Sequence, residues 1–113
     1  MSIMTIAITA TIANGAAVSD AMHLAAMRLF AIQMPATWTT ADLTFQGSFD
    51  GTTYADVYDE LGTEVTVDAA AARFIILDPA KFLGLQKFKI RSGTTGSPVN
   101  QGGARLIQVI GVS

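Results

Sequence analysis

Leu43-Thr44-Phe45-Gln46-Gly47-Ser48-Phe49-Asp50-Gly51-Thr52-Thr53-Tyr54 is the stretch that decides the fold. Leu43, Phe45, Gly47 and Phe49 fall on one side of an extended chain, and Thr44, Gln46 and Ser48 fall on the other. Successive side chains of a strand point to opposite faces, so this alternation predicts a half-buried strand. Asp50-Gly51 suits a tight hairpin turn, and Tyr54 to Tyr58 reads as the returning strand. A hairpin with one apolar face needs a second layer to cover it.

The same period recurs on either side. Towards the N-terminus, Ile6, Ile8, Ala10 and Ile12 alternate with Thr5, Ala7, Thr9 and Thr11, and Asn14-Gly15 makes a turn. Leu24, Ala26, Arg28, Phe30, Ile32 and Met34 also alternate, up to Pro35, which predicts a strand although the Ala and Met content suits a helix. Towards the C-terminus, Glu64 to Val67 is a short strand and Ala69 to Ala72 a single helical turn. Arg73 to Leu77 is a continuous apolar run of the kind found in a sandwich core. Asp78-Pro79 caps a brief turn that packs Phe82 and Leu85 down. Lys87 to Arg91 alternates with Phe88 and Ile90 inward, and Leu106 to Val112 closes the domain. Ser92 to Gly103, rich in Gly, Thr, Ser and Pro, reads as a long exposed loop.

About eight short strands, with turn signals roughly every 8 to 12 residues, predict an all-β fold. The expectation is one antiparallel β-sandwich over residues 1–113, jelly-roll-like, with residues 1–12 as an N-terminal strand or arm.

Charged residues make up 14% of the chain and hydrophobic ones 50%, against about 25% charged in an ordinary domain. So few charges cannot coat a whole monomer, and part of the surface is expected to lie against another protein. The net charge of −2 lacks the basic footprint of a nucleic-acid binder. No apolar stretch is long enough to span a bilayer, and no signal peptide is visible. With no cysteine there is no disulfide, thiolate metal site or cysteine nucleophile. Eight of nine acids lie between Asp42 and Asp78 and six of seven bases from Arg73 onward. Folding is expected to bring the two halves together within the domain; the alternative is an acidic face that meets a basic face of a neighbouring copy.

Candidate chemistry is sparse. Ser19, Asp20 and His23 lie near one another in sequence, but no nucleophile motif surrounds a serine. Asp56, Asp59 and Glu60 cluster beside the hairpin without the material for a substrate cleft. Ser48, Asp50 and Thr52 lack the spaced acids of a calcium loop, and the glycines form no phosphate loop. Neither catalysis, a cofactor nor a metal is expected. Trp38, Tyr54 and Tyr58 could form an aromatic platform for sugar rings, with Gln46 and Asp56 bonding hydroxyls; alternatively Trp38 plugs the end of the sandwich.

One resemblance runs from about Val18 to the C-terminus. It rests on Gln33-Met34-Pro35-Ala36-Thr37-Trp38-Thr39-Thr40-Ala41, the Leu43 to Tyr54 stretch, Tyr58-Asp59, Gly62-Thr63-Glu64, Leu77-Asp78-Pro79, Arg91-Ser92-Gly93-Thr94 and Pro98-Val99-Asn100-Gln101. In their order and spacing these resemble a group of small tailed-phage and prophage virion structural proteins. The resemblance implies a virion component made in the host bacterial cytoplasm. Capsid cement or decoration on the outer head surface is the first expectation, with the major capsid protein and further copies of itself, as dimer or trimer, for partners. A tail or head–tail connector subunit is the alternative. The Asp50 to Tyr54 hairpin is also similar to one in discoidin-like, galactose-binding sandwiches. Contacts are expected from the N-terminal residues Ile3, Met4, Thr5 and Ile6, adding as an edge strand to a neighbour's sheet. The loop residues Thr94, Thr95, Pro98 and Asn100 are expected to join them, ordering on binding.

Overall fold

The structure, a computed structural model, describes residues 4–113. Eight strands and one short helix follow in the order β1 (Thr5–Ile12), β2 (Met22–His23), β3 (Arg28–Gln33), β4 (Leu43–Ser48), β5 (Ala55–Asp56), β6 (Phe74–Ile76), α1 (Pro79–Phe82), β7 (Lys87–Ser92) and β8 (Arg105–Val112). They form two four-stranded sheets, ordered β1-β8-β3-β6 and β2-β7-β4-β5. Pairing the first strand with the eighth, second with seventh, third with sixth and fourth with fifth amounts to one long hairpin rolled over itself. All four pairs are present and antiparallel. The roll is closed by β3 against β8 and β4 against β7. This is the jelly-roll arrangement.

The alternation seen in the sequence sets which side chains fill the space between the sheets. Ala10, Ile12, Leu29, Ile32, Ile107 and Val109 come from one sheet, and Met22, Leu43, Phe45, Phe88 and Ile90 from the other. Phe45 meets the edges of Phe82 and Phe88, with ring centroids 5.2 and 6.3 Å apart. The Asp78 carboxylate accepts from the Ala80 amide at 3.1 Å, starting α1 and swinging Phe82 and Leu85 into the core as the sequence indicated.

Six local readings change. Glu64 to Val67 is no strand of either sheet and makes only isolated bridges, Glu64 with Tyr58 and Val67 with Leu43. Leu24 to Met27 is a turn, with the Met27 amide bonded to the Leu24 carbonyl at 3.0 Å and Ala25 at φ +56°. The chain crosses there from one sheet to the other, so β3 starts only at Arg28. Ala69 to Ala72 forms no helix: Ala72 sits at φ +63° and its amide bonds the Pro35 carbonyl at 2.8 Å, and four residues are too few to nucleate a turn alone. The β4–β5 connection is wider than a two-residue turn, since pairing resumes at Gly47 with Ala55. Asp50 organises it by accepting from the Thr52 and Thr53 amides at 2.8 and 2.9 Å. Phe49 belongs to this loop and is 88% exposed, not inward. Finally, the Arg73 to Leu77 run is not buried on both sides. β6 is an edge strand, and Phe74 and Ile76 are 57% and 70% exposed.

Candidate functional site

The two sheets present opposite chemistry to the outside. On the β1-β8-β3-β6 sheet, register places Ala7, Ile110, Ala31 and Ile76 in one outward row, and Thr9, Gln108, Gln33 and Phe74 in the next. Thr5, Val112 and Arg28 make a third row, and Thr11 and Leu106 a fourth. Thr9 Oγ1 donates to Gln108 Oε1 at 3.2 Å across the first pair of strands. Ala31 has no exposed surface although it lies outside the core cluster, as expected for a small side chain flanked by Ile110 and Ile76. Arg28 is the single charged residue among the described residues of these rows. A surface of Ile, Leu, Val, Phe, Ala and Thr this broad is suited to contact with protein.

The β2-β7-β4-β5 sheet carries the charges. Its outward rows set Thr44 against Arg91, Gln46 against Lys89 and Asp56, and Ser48 against Lys87. Lys89 Nζ lies 4.4 Å from the centre of the Tyr54 ring, a cation–π contact. The Arg91 side chain is only 7% exposed. Its guanidinium pairs with the Asp56 carboxylate and with Glu64 at 3.4 Å, and donates to Thr95 Oγ1 at 2.8 Å. Arg91 holds the Asp56 carboxyl below its ordinary range, its hydrogen bond outweighing the effect of burial. Acids from the middle of the chain thus meet a base from nearer its end within one domain, while Arg73 with Asp68 at 3.5 Å is a local pair at the surface.

The 92–103 loop is less free than its composition suggests. Glu64 accepts from the Thr95 amide at 3.2 Å and from its hydroxyl. Thr94 and Ser97 exchange backbone bonds at 3.2 Å, and Val99 donates to the Ser92 carbonyl at 2.8 Å, so the segment doubles back as a small hairpin. Gly93 turns it at φ +91°, where a Cβ would stand 2.5 Å from the Ser97 carbonyl oxygen. Gln101, fully buried, bonds Thr39 and the Ser92 hydroxyl. Thr95, Pro98 and Asn100 remain exposed on this fixed frame, with Thr94 half-buried.

Among solved structures the fold is shared. The SPBc2 prophage-derived protein YomS matches this chain with a TM-score of 0.58 at 15% identity, over 100% of this chain and 96% of that one. No protein-family model and no curated protein matches the sequence. YomS and this chain thus share a roll along their whole lengths with little sequence in common.

The remaining candidates are spread over that roll. Ile3 lies outside the described residues. Met4, Thr5 and Ile6 are exposed at the start of β1, on the outer edge of the β1-β8-β3-β6 sheet. Trp38 is only 9% exposed, and its Nε1 donates to the Ala41 carbonyl at 3.0 Å. It plugs the core, which takes it out of an exposed sugar platform. Tyr58 is exposed and Tyr54 half-buried beside Lys89. Ser19 Oγ bonds the Asp20 carbonyl and the Ile90 amide at 2.8 and 2.9 Å, while His23 is exposed at the end of β2. Asp59 accepts from the Leu61 and Thr63 amides at 2.9 and 3.0 Å and closes a turn. A cleft of about 360 Å³ between Tyr58, Asp59, Glu60, Val65, Ala80 and Lys81 lies beside that turn. Two features of the site escaped sequence reasoning: the exposure of Phe74 and Ile76, and the Gln101 anchor, which has no local signal.

Proposed function

We propose that the chain is a structural protein of a tailed-phage particle, a capsid cement or decoration protein that works by binding and not by catalysis. The observation that carries this reading is the division of charge between the two sheet faces. One face holds Lys87, Lys89 and Arg91, the last with its partners Asp56 and Glu64; the other offers Ile76, Phe74, Ile110 and Leu106, with Arg28 the one charge in its described rows. The uncharged face suits burial against the major capsid protein, and the charged face suits water. The fold likeness to a prophage-derived protein supports the phage reading. That jelly rolls serve in viral capsids adds support by fold-level analogy alone. Of the carboxylates considered for chemistry, Asp50 and Asp59 close turns and Asp56 pairs with Arg91, which favours a binding role.

The mechanism is avidity. A weak contact repeated over many symmetric copies locks neighbouring capsomers together. The 92–103 loop supplies a second, preformed contact through Thr95, Pro98 and Asn100, and its fixed frame reduces the ordering cost that a free loop would carry. Co-sedimentation of purified heads with added protein tests the reading. Ile76→Lys, at an exposed edge position, is expected to weaken binding about tenfold or more, and Lys87→Glu on the charged face to leave it within about twofold. Binding lost only with the Lys87 variant would overturn the assignment of faces, and no binding by the unaltered protein would overturn the cement reading.

A further inference from the structure

Of the edges left open by the two sheets, β1 is the long one. The opposite edge of its own sheet is the three-residue β6, and the other sheet ends in the two-residue strands β2 and β5. Short edges are one of the ways folds avoid pairing with other chains, along with charges, prolines and bulges. β1 uses none of these. It runs Thr5-Ile6-Ala7-Ile8-Thr9-Ala10-Thr11-Ile12 without a charge or a proline, and its register with β8 is unbroken.

The direction of its backbone groups follows from the ladder. Met4 exchanges a bond with Ser113, the Ser113 amide reaching the Met4 carbonyl at 3.0 Å, so Met4, Ile6, Ile8 and Ala10 turn their N–H and C=O towards β8. Thr5, Ala7, Thr9 and Thr11 then turn theirs to the open side. Thr11 confirms the alternation: its N–H donates to the Asp20 carboxylate at 2.8 Å and its C=O accepts from the Asp20 amide at 3.2 Å. Asp20 thus closes the edge at Thr11. No described residue bonds the outward backbone groups of Thr5, Ala7 and Thr9.

The sequence of this open stretch reads the same in both directions. Thr5-Ile6-Ala7-Ile8-Thr9 is a palindrome centred on Ala7. Two antiparallel copies related by a two-fold axis at Ala7 would therefore match at every position. Thr5 would face Thr9 of the second copy, Ile6 would face Ile8, and Ala7 would face Ala7. The threonines and alanines are the residues with free N–H and C=O, so each of these pairs exchanges both bonds. Ile6 and Ile8 point to the inner side, and Ile6 is exposed there because nothing flanks it on the open side; the second copy's Ile8 would cover it.

We propose that two copies of this chain join edge to edge through Thr5 to Thr9, giving a two-fold dimer with one continuous eight-stranded sheet. The uncharged rows of both copies then run on across the axis as a single face. The dimer is a property of the chain alone, so it can fail in solution while the chain is still found in particles, and the reverse.

The test is the mass of the full chain in solution, by light scattering or sedimentation equilibrium at about 100 μM, for the unaltered protein and for Ala7→Pro. Proline removes an N–H that points away from β8, so no bond within the sheet is lost. The unaltered protein is expected to be dimeric. The variant is expected to keep its strand signature by circular dichroism and to dissociate, with the dimer weakened about 100-fold or more. Hydrogen exchange should protect the Thr5, Ala7 and Thr9 amides in the dimer and free those of Thr5 and Thr9 in the variant. Should the proline variant lose its fold, Ala7→Lys serves instead, since it sets two like charges opposite each other at the axis. A monomeric unaltered protein would overturn the proposal, as would a dimer that survives the folded variant or leaves those amides unprotected.

Discussion

The side chain of Gln101 pairs with the backbone of Thr39 as a neighbouring strand would: its Oε1 accepts from the Thr39 N–H at 2.8 Å and its Nε2 donates to the Thr39 C=O at 3.0 Å. The two residues are 62 positions apart. The same amide reaches the Ser92 hydroxyl at 2.7 Å and receives the Arg105 Nε–H at 3.1 Å. The Gln101 backbone meanwhile holds Gly15 and Ala16, at 2.8 and 2.9 Å. One buried residue therefore ties the β3–β4 connection, the β1–β2 connection and the base of the 92–103 loop together. A buried amide this fully satisfied rigidifies its surroundings.

Gln101→Ala leaves the Thr39 groups and the Ser92 hydroxyl without their partner. Unsatisfied buried polar groups cost about 1–3 kcal/mol each, moderated here because Thr39 is half-buried, and a loss of about 2–4 kcal/mol is expected. Urea denaturation measures it. Hydrogen exchange should show the Val99 amide, bonded to Ser92 in the unaltered loop, becoming faster by more than the global loss explains.

Gly93→Ala sets a Cβ 2.5 Å from the Ser97 carbonyl oxygen and 2.8 Å from the Val99 amide nitrogen, at φ +91°. Neither neighbour is a flexible side-chain end, so backbone has to move. The expected cost is about 2 kcal/mol or more, read from the denaturation midpoint. Gly15→Ala is the control: it also has positive φ, but nothing lies within 4 Å of the added methyl group. It should cost only about 1 kcal/mol.

The Arg91–Asp56 pair makes stability depend on pH in a known direction. The folded carboxyl of Asp56 titrates below its ordinary value of 3.8, because the ionised form is bonded to Arg91. In the acid window the unfolded chain therefore binds more protons than the folded one, so stability rises with pH there. The contribution is complete above the unfolded value and is lost as pH falls through the lower folded value. Denaturation between about pH 7 and 2.5 should show this acid limb, and Asp56→Asn should flatten it. Arg91→Met, which strands Asp56 beside Glu64, should cost about 2–4 kcal/mol at neutral pH after allowance for the partial exposure of Asp56.

Strands with one face in the core and one outside were legible, because a period of two needs nothing beyond the strand itself. β1, β4, β7 and β8 all carry it. Where the period persisted by composition alone it misled. Leu24 and Ala26 continue the beat of β3 backwards, yet Ala25 adopts a left-handed conformation that no pattern of hydrophobicity records. Arg73 to Leu77 misled for a different reason. A continuous apolar run signals burial on both sides, but of three residues on a sheet edge only Ile75 turns inward, and it is half-buried, while Phe74 and Ile76 are left for whatever lies outside the chain. The segregation of acids and bases foretold that they would meet, though not that Arg91 would collect Asp56, Glu64 and Thr95 under one guanidinium. Gln101 gave no signal, since its partners lie in segments that only the rolled topology brings together.

Copy number in purified particles, by quantitative mass spectrometry against the major capsid protein, tests the virion reading most directly. A ratio to that protein near one, or a simple fraction of it, is the expected result for cement or decoration matched to local capsid symmetry. About a dozen copies or fewer would place the chain in the tail or the head–tail connector instead. Its complete absence from the particles would contradict the virion assignment and leave the uncharged face to another partner.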